Sequence, residues 1–375
     1  MVPNLRFSYK GDWSKRKLNE ICLFFKGNGL SKSDLSNEGF PCILYGELYT
    51  TYKNEVISDI ISKTNTILSN PFLSRNNDLI IPGSGENPID IAVARAIYQN
   101  DIILGGDLNI LRPKSNVSAA FLSYQINGVR RYDIAKKAQG KSIVHLHNSD
   151  LKEVLVSIPS YDEQLHIVKL LTKIDEMIET QSKIINDYKL LKKYITKSFI
   201  KQKGTSYLLS EIAELGRGRV ISSAEISKQK NPIYPVYSSQ TSNNGVMGYL
   251  DNYDYEGEYI TWTTDGANAG TVYYRNGKFN CTNVCGILKI KNGYDAYYVS
   301  NILNCYTKKY VSTNLANPKL MNNVMANIKI NLPSIERQKY FSNILKAIEY
   351  RVKIEQDIKL NLVKQKVFLL KNMFL

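Results

Sequence analysis

An internal repeat constrains the fold of this chain more than any other feature. Residues 18–35, LNEICLFFKGNGLSKSDL, lie over residues 209–226, LSEIAELGRGRVISSAEI, at a constant offset of 191. Leu, Glu, Ile and Gly recur identically, while Lys26 matches Arg217, Leu30 matches Ile221 and Asp34 matches Glu225 in kind. A second pair, IPSYDEQ at 158–164 and LPSIERQ at 332–338, repeats at an offset of 174, so the second copy is 17 residues shorter in its middle. The chain reads as a tandem duplication, each copy being a body followed by a long helix. Its 375 residues suffice for two or three domains that each bury a core.

The helices follow from periodicity. After Pro159, which suits a helix entrance, apolar residues fall at Ile167, Leu171, Ile174, Ile178, Ile185, Tyr188, Ile195 and Phe199, in steps of four and three with gaps at Gln181 and Lys192. After Pro333 the same register gives Phe341, Leu345, Ile348, Val352, Leu362, Leu369 and Met373, interrupted at Glu355, Lys359 and Lys366. Two heptad-like helices of one chain are expected to pair as an antiparallel coiled coil. Residues 165–200 alone would extend about 54 Å, a rigid spacer.

The bodies read as α+β with strand-rich cores. In the second, YITWTTDGANAGTVYYRNGKFNCTNVCGILKI is rich in aromatic, Thr and Val residues and is punctuated by Asp265-Gly266, Ala269-Gly270 and Asn276-Gly277, the last a hairpin signal. The first has similar runs at 43–52, 78–81 and 101–111. Residues 201–206, KQKGTS, have linker composition. The expected boundaries are 1–156 for the first body, 157–203 for the first long helix with its linker, 204–330 for the second body and 331–375 for the second long helix.

Composition excludes several classes. With 43% hydrophobic and 22% charged residues the chain is neither disordered nor collagenous. No apolar run approaches the ~18 residues that span a bilayer, and MVPNLRFSYKGDW lacks an apolar signal core, so a soluble cytoplasmic protein is expected. The five cysteines, an odd count without a C-x-x-C pair, fit reduced thiols, with Cys281 and Cys285 as core residues. There is no phosphate-binding loop and no dinucleotide fingerprint: Gly27-Asn28-Gly29 and Gly83-Ser84-Gly85 lack a third glycine and the flanking elements. Asn70-Pro71-Phe72 lacks one proline of an amino-methyltransferase motif and is read as a turn. His145-Leu146-His147 is read as an exposed strand in preference to half a metal site, since no third ligand is visible. No catalytic residue and no metal ligand is assigned.

The formal net charge of +15 makes an acidic polymer the first partner to consider. The excess is spread as +4, +3, +3 and +5 over the four segments in chain order. Such a surface supplies sequence-blind attraction to phosphates, and specific reading needs polar side chains on loops that enter a groove. In the second body the candidates are Arg217 and Arg219; Ser239, Gln240, Thr241, Asn243 and Asn244 in the polar run 238–244; Thr263 and Asp265; and Arg275 and Lys278. In the first they are Lys26 and Asn28, Tyr45 and Glu47, Arg75, and the basic cluster Arg130, Arg131, Lys136, Lys137 and Lys141. The competing reading of each is a solvated loop or face, against which the matching Lys26 and Arg217 positions weigh.

The alternation of body and Pro-x-x-x-[Glu/Arg]-Gln helix resembles the specificity subunits of type I restriction-modification systems. The resemblance is carried by Ile158 to Gln164, by Leu332 to Gln338 and the helices they introduce, and by PVYSSQTSNNGVMGY and DGANAGTVYY in the second body; it covers nearly the whole chain. Arg337 departs from Glu163 of the first copy, so the two helix entrances are expected to make different contacts. The resemblance implies two target-recognition domains in tandem, each reading one half of a bipartite asymmetric target in double-stranded DNA. It implies that the paired helices fix the gap between the halves and dock two modification subunits. For that role Pro159, Gln164, Ile167, Leu171, Ile174, Ile178, Ile185, Tyr188, Ile195, Pro333, Gln338, Phe341, Leu345, Ile348, Val352, Leu362 and Leu369 are the candidates. S-adenosylmethionine would belong to the modification subunits, ATP and Mg to the restriction subunits, and no cofactor to this chain. The alternatives are a stand-alone DNA-binding protein or methyltransferase-related enzyme with its own recognition domains, and a Tyr-rich carbohydrate-binding protein.

Overall fold

Each copy of the repeat is closed by the same two-stranded clasp. Strand Ser14–Lys17 pairs antiparallel with Leu155–Ile158, and Thr205–Leu208 pairs antiparallel with Lys329–Leu332, so the pair recurs at the two repeat offsets. The computed structural model describes residues 2–200, 202–312 and 317–375. These form two compact units, Met1–Lys183 with Gln356–Leu375, and Ile184–Glu355.

In the first unit a one-turn helix, Leu18–Ile21, leads into strand Cys22–Lys26 at the edge of a five-stranded sheet. The order continues Leu108–Pro113, Asp78–Pro82, Arg95–Ile97 and Val56–Ile57. Asp78–Pro82 reads DLIIP and is buried throughout, which needs apolar side chains on both faces and a partner for its acid. Arg112 supplies that partner, reaching both Asp78 oxygens at 2.8 Å. A second, four-stranded sheet runs Ile103–Leu104, Phe40–Ile43, Ser62–Thr64, Leu35–Ser36. Within 43–52 only the start is strand: Glu47–Thr50 forms a helical turn, and the Glu47 carboxylate accepts the Leu44 N–H just before it at 2.7 Å.

The second unit holds one six-stranded sheet in the order Ala213–Arg217, Cys285–Ile290, Tyr255–Thr263, Val272–Cys281, Tyr234–Tyr237, Val246–Leu250. Trp262 and Tyr298 are its largest buried side chains, packed with Leu288, Val299 and Met325. The Asn276-Gly277 hairpin expected from sequence is not formed. Val272–Cys281 runs unbroken along Tyr255–Thr263, because residues 264–271 already make the turn, and Gly277 pairs opposite Gly257. Both glycines sit at φ near +100°, where a side chain would strain the backbone. The linker expected over 201–206 is also shorter. Thr205 already belongs to the clasp, while Lys201 lies outside the described residues.

The long helices span Tyr161–Ile200 and Ile335–Asn372, 40 and 38 residues. In the first unit Ile167 and Leu171 cluster with Met373 and Phe374, and in the second Phe199 stacks on Phe341, so in each unit the two run antiparallel. The polar interruptions of the stripes complete them. Gln181 and Glu355 are 9% and 3% exposed, and Lys366 bonds Glu55 at 2.6 Å and Asp175 at 2.5 Å. In the second unit Lys192 pairs with Glu349; Asp175 and Glu349 stand 174 residues apart, as do Lys192 and Lys366. The duplication has thus kept one acid–lysine pair for each unit.

The recurrent glutamine acts as a latch. Gln164 Oε1 accepts the N–H of Ser118 at 2.9 Å, and its amide donates to the Pro159 carbonyl at 3.1 Å. Gln338 Oε1 accepts the N–H of Asp295 at 3.0 Å, and its Nε2 donates to the Pro333 carbonyl at 2.8 Å. Ser118 and Asp295 are themselves the N-caps of helices Ala119–Gln125 and Ala296–Tyr306. Each long helix is therefore bolted to the N-terminus of its body's helix. Gln338→Ala strands the Asp295 N–H, and the second unit should lose about 1–3 kcal/mol, read as a lower denaturant midpoint for that unit. The entrances differ where expected. Glu163 is buried and takes a two-pronged Arg6 contact at 2.7 and 2.8 Å plus the Trp13 indole at 3.2 Å, whereas Arg337 lies 5.9 Å from the Phe341 ring centre.

Candidate nucleic-acid interface

The repeated strand carries its basic residue to the same place in both units. Lys26 ends Cys22–Lys26, Arg217 ends Ala213–Arg217, and both are exposed. The next residue is glycine in both copies for one reason: a Cβ on Gly27 would lie 2.0 Å from the Gly105 oxygen, and one on Gly218 would lie 1.9 Å from the Cys281 oxygen. Short helices follow in both copies, with Ser31 and Ser222 at their N-cap positions.

In the first unit the candidates divide. Lys26, Arg75, Lys136 and Lys141 are exposed, and Lys137 is half-buried. Asn28 is exposed but occupied: its amide donates to the Asn70 carbonyl at 3.0 Å and its oxygen accepts the Phe72 N–H at 3.1 Å, which holds the turn read at Asn70-Pro71-Phe72. Tyr45 and Glu47 line a cavity of about 720 Å³ with Leu30, Lys32, Leu44 and Asp107. Glu47 is spent inside the protein, on the Leu44 N–H and the Ser62 hydroxyl. Arg130 and Arg131 are half-buried and engaged by protein partners. Arg130 bonds the Leu375 carbonyl at 2.7 Å and Asp133 at 3.3 Å, and Arg131 bonds the Ile89 carbonyl at 3.0 and 3.2 Å.

In the second unit Arg217 reaches Asn322 Oδ1 at 3.1 Å, and Arg219 bridges Glu225 at 2.7 Å and Asp254 at 3.1 Å. Those bonds hold the Arg219 guanidinium above its ordinary value and Glu225 below its own. Between strands Tyr234–Tyr237 and Val246–Leu250 the loop 238–245 exposes Thr241, Ser242, Asn243 and Asn244, while Ser239 and Gln240 are half-buried. Asn243 and Asn244 have φ of 47° and 53°, the left-handed conformation that Asn tolerates better than most residues. The loop touches its neighbour through Asn268 Nδ2, which donates to Thr241 Oγ1 at 3.1 Å. Lys278 is exposed over the Tyr253 ring at 4.5 Å, and Asp265 pairs with Lys319 at 3.5 Å. Two candidates are not at the surface. Thr263 is 1% exposed and donates to the Asn268 carbonyl, and Arg275 is 4% exposed. Both lie within the paired strands, where burial forces their polar atoms to find protein partners.

On the helices, Pro159, Gln164, Ile167, Leu171, Ile174, Ile185, Gln338, Phe341, Leu345, Ile348 and Leu362 are buried, and Ile178, Tyr188, Ile195, Pro333, Val352 and Leu369 are half-buried. These side chains pack inward within their own unit. The exposed apolar residues missed by the heptad reading include Leu190, Tyr194, Tyr350 and Phe368. The His145 and His147 rings lie parallel at 6.1 Å, and among the described residues no group of three or more His, Cys, Asp or Glu is placed to hold a metal. Among those residues no helix is long and apolar enough to cross a membrane.

Compared with known proteins, residues 10–189 and 204–365 match the family model described as the type I restriction modification DNA specificity domain. A candidate type I specificity subunit N-terminus of Mycoplasma pneumoniae is 44% identical over 142 residues, covering 37% of this chain and 75% of that protein. The type I restriction enzyme MpnII specificity subunit of the same organism is 42% identical over 146 residues, 38% of this chain and 43% of its own length. The crystal structure of a type I restriction-modification S subunit from M. genitalium superposes with a TM-score of 0.69 at 17% identity, covering 100% of this chain and 99% of that one.

Proposed function

From the premise that the chain belongs to the type I restriction-modification DNA specificity family, we propose that it reads a bipartite, asymmetric target in double-stranded DNA, one half with each unit. It is a non-catalytic specificity subunit. In this reading residues 1–156 and 204–330 are the two target-recognition domains, and 157–203 and 331–375 are the spacer helices. The observation that carries it is the repetition of one device: a basic residue at a strand end, a glycine that permits close backbone approach, and a glutamine latch to a long helix, once in each unit. Two copies of one device in one chain suit two similar but not identical half-sites.

The reading assigns two modification subunits to the helices, supplying S-adenosylmethionine and adenine methylation, and restriction subunits supplying ATP, Mg and cleavage in the cytoplasm. Tyr194 and Phe368 support two related docking faces, since they stand 174 residues apart and are 62% and 60% exposed. For DNA contact it assigns Lys26, Arg75, Lys136 and Lys141 in the first unit, and Arg217, Arg219, Thr241, Asn243, Asn244 and Lys278 in the second. The deciding experiment is methylome sequencing of cells co-expressing this chain with its modification subunit. A bipartite motif with adenine methylated in both halves is expected, whereas no methylation despite a stable complex would overturn the reading for the recognition domains.

A narrower outcome concerns Arg217. Its charge has no carboxylate partner among the described residues, so Arg217→Ala should weaken binding uniformly across sequences. The slope of log affinity against log salt should fall by about 0.9. An unchanged slope in a salt titration by fluorescence anisotropy would remove Arg217 from the footprint.

A further inference from the structure

Arg275 is a buried cation without an anion. It is 4% exposed, and among the described residues no carboxylate pairs with it. Its Nε donates to Thr261 Oγ1 at 3.2 Å and its Nη2 to the Asn244 carbonyl at 2.9 Å. Two aromatic rings flank it, with the guanidinium carbon 3.5 Å from the Tyr237 ring centre and 4.4 Å from that of Tyr273. Burial pulls the guanidinium below its ordinary value, while the nearby Tyr237, Cys285, Cys281 and Tyr273 pull it partly back.

The position explains why such a group is placed there. Tyr237 is the last residue of the strand entering loop 238–245, and Asn244 is the second of two left-handed asparagines that bring the loop back. Arg275 therefore holds both ends of the loop from beneath, through the ring at its entrance and the carbonyl at its exit. A Cβ on the next residue, Gly245, would stand 3.1 Å from Arg275 Nη2, so the guanidinium also shapes the return of the chain. The loop closes on itself by Ser238 N–H donating to the Gly245 carbonyl at 3.0 Å, and its outward side chains are Thr241, Ser242, Asn243 and Asn244. Among the described residues no carboxylate cancels the charge beneath, and its field favours an anion at the loop's outer face.

We propose that Arg275 is the positioning residue of this loop, presenting Thr241, Asn243 and Asn244 to the second half-site and biasing the loop toward the phosphodiester backbone. The inference rests on the DNA-recognition reading given above. A lysine cannot replace it, because an ammonium is a compact point charge without the planar face that lies between two rings while its edge donates to Thr261 and Asn244.

The test uses the full chain assembled with its modification subunit, as wild type, Arg275→Lys and Arg275→Gln. Amide hydrogen exchange of loop 238–245 is measured alongside affinity for duplexes altered in one half-site. Arg275→Gln should lose protection in the loop alone and about tenfold in affinity for the second half-site, with degeneracy appearing in that half of the methylated motif and none in the other. Arg275→Lys should loosen the loop similarly while keeping the salt dependence. Loss of protection across the whole second sheet would overturn the proposal in favour of a role in overall stability. A loosened loop with an unchanged second half-site, or an unaltered loop, would overturn it as well. Failure of the wild-type assembly to bind DNA at all would instead bring down the DNA-recognition reading, and this inference with it.

Discussion

Lys366→Met should destabilise the first unit by about 3–5 kcal/mol, because it leaves two buried carboxylates facing each other without their cation. Glu55 and Asp175 have side chains 7% and 6% exposed, and Lys366 reaches both. Tyr124 donates to Asp175 at 2.7 Å from a phenol that burial keeps protonated, and Asn127 donates to Glu55 at 3.4 Å. One lysine thus ties the second long helix both to the first helix and to the body. Urea unfolding followed by a probe in the first unit measures the loss. A shift below 1 kcal/mol would mean that the pair is solvated and that the helix register has another source.

The same variant carries a pH signature whose sign follows from Asp175. Burial first, then the neighbouring Glu55, raise its pKa above the usual 3.8, while Lys366 pulls it back. A carboxyl with a raised folded-state value binds protons more readily folded than unfolded. Its ionisation therefore costs stability as pH rises through that interval, and the cost disappears as pH falls below the unfolded value. Without Lys366 the opposing pull is gone and the interval widens, so the deficit of Lys366→Met relative to wild type should shrink as pH falls toward the ordinary carboxylate value. A constant difference between the two proteins over that range would sink the assignment.

This lysine shows where the sequence was legible and where it was not. The long helices were visible because a stripe of apolar residues at steps of four and three needs only local periodicity. Lys366 broke the stripe by residue type, yet it occupies the stripe, because its partners Glu55 and Asp175 lie 311 and 191 residues earlier in the chain. Distant partners likewise decide Arg130, Arg131 and Arg275, which composition marks as a basic surface and packing turns to backbone carbonyls and aromatic rings. The glutamine of the helix entrance was found as a repeated letter. Its physical reason, the backbone N–H of Ser118 or Asp295, lies 46 and 43 residues away. Asn276-Gly277 misled for the converse reason: a local turn signal was overruled by eight paired positions along two strands.

The two acid–lysine pairs make the proposed spacer role testable without breaking the helices. Seven residues inserted after Lys183 and seven more after Glu355 leave Asp175 with Lys366 and Lys192 with Glu349 in register. They also preserve the heptad phase of both stripes. Seven residues lengthen a helix by about 10.5 Å, equivalent to about three base-pair steps of ~3.4 Å. If the helices set the gap between half-sites, the doubly extended chain should methylate a motif with both halves unchanged and a spacer longer by up to about three base pairs. Its methylation at the original spacing should fall by at least about a hundredfold, since three steps also turn one half-site by roughly 100° about the duplex at 10.5 base pairs per turn. The single insertion after Lys183 should abolish methylation at both spacings, because it shifts one stripe against the other by two turns. Methylation of the original motif by the doubly extended chain would show that the spacing is set elsewhere, and a changed half-site would show that the insertion had reached a recognition domain.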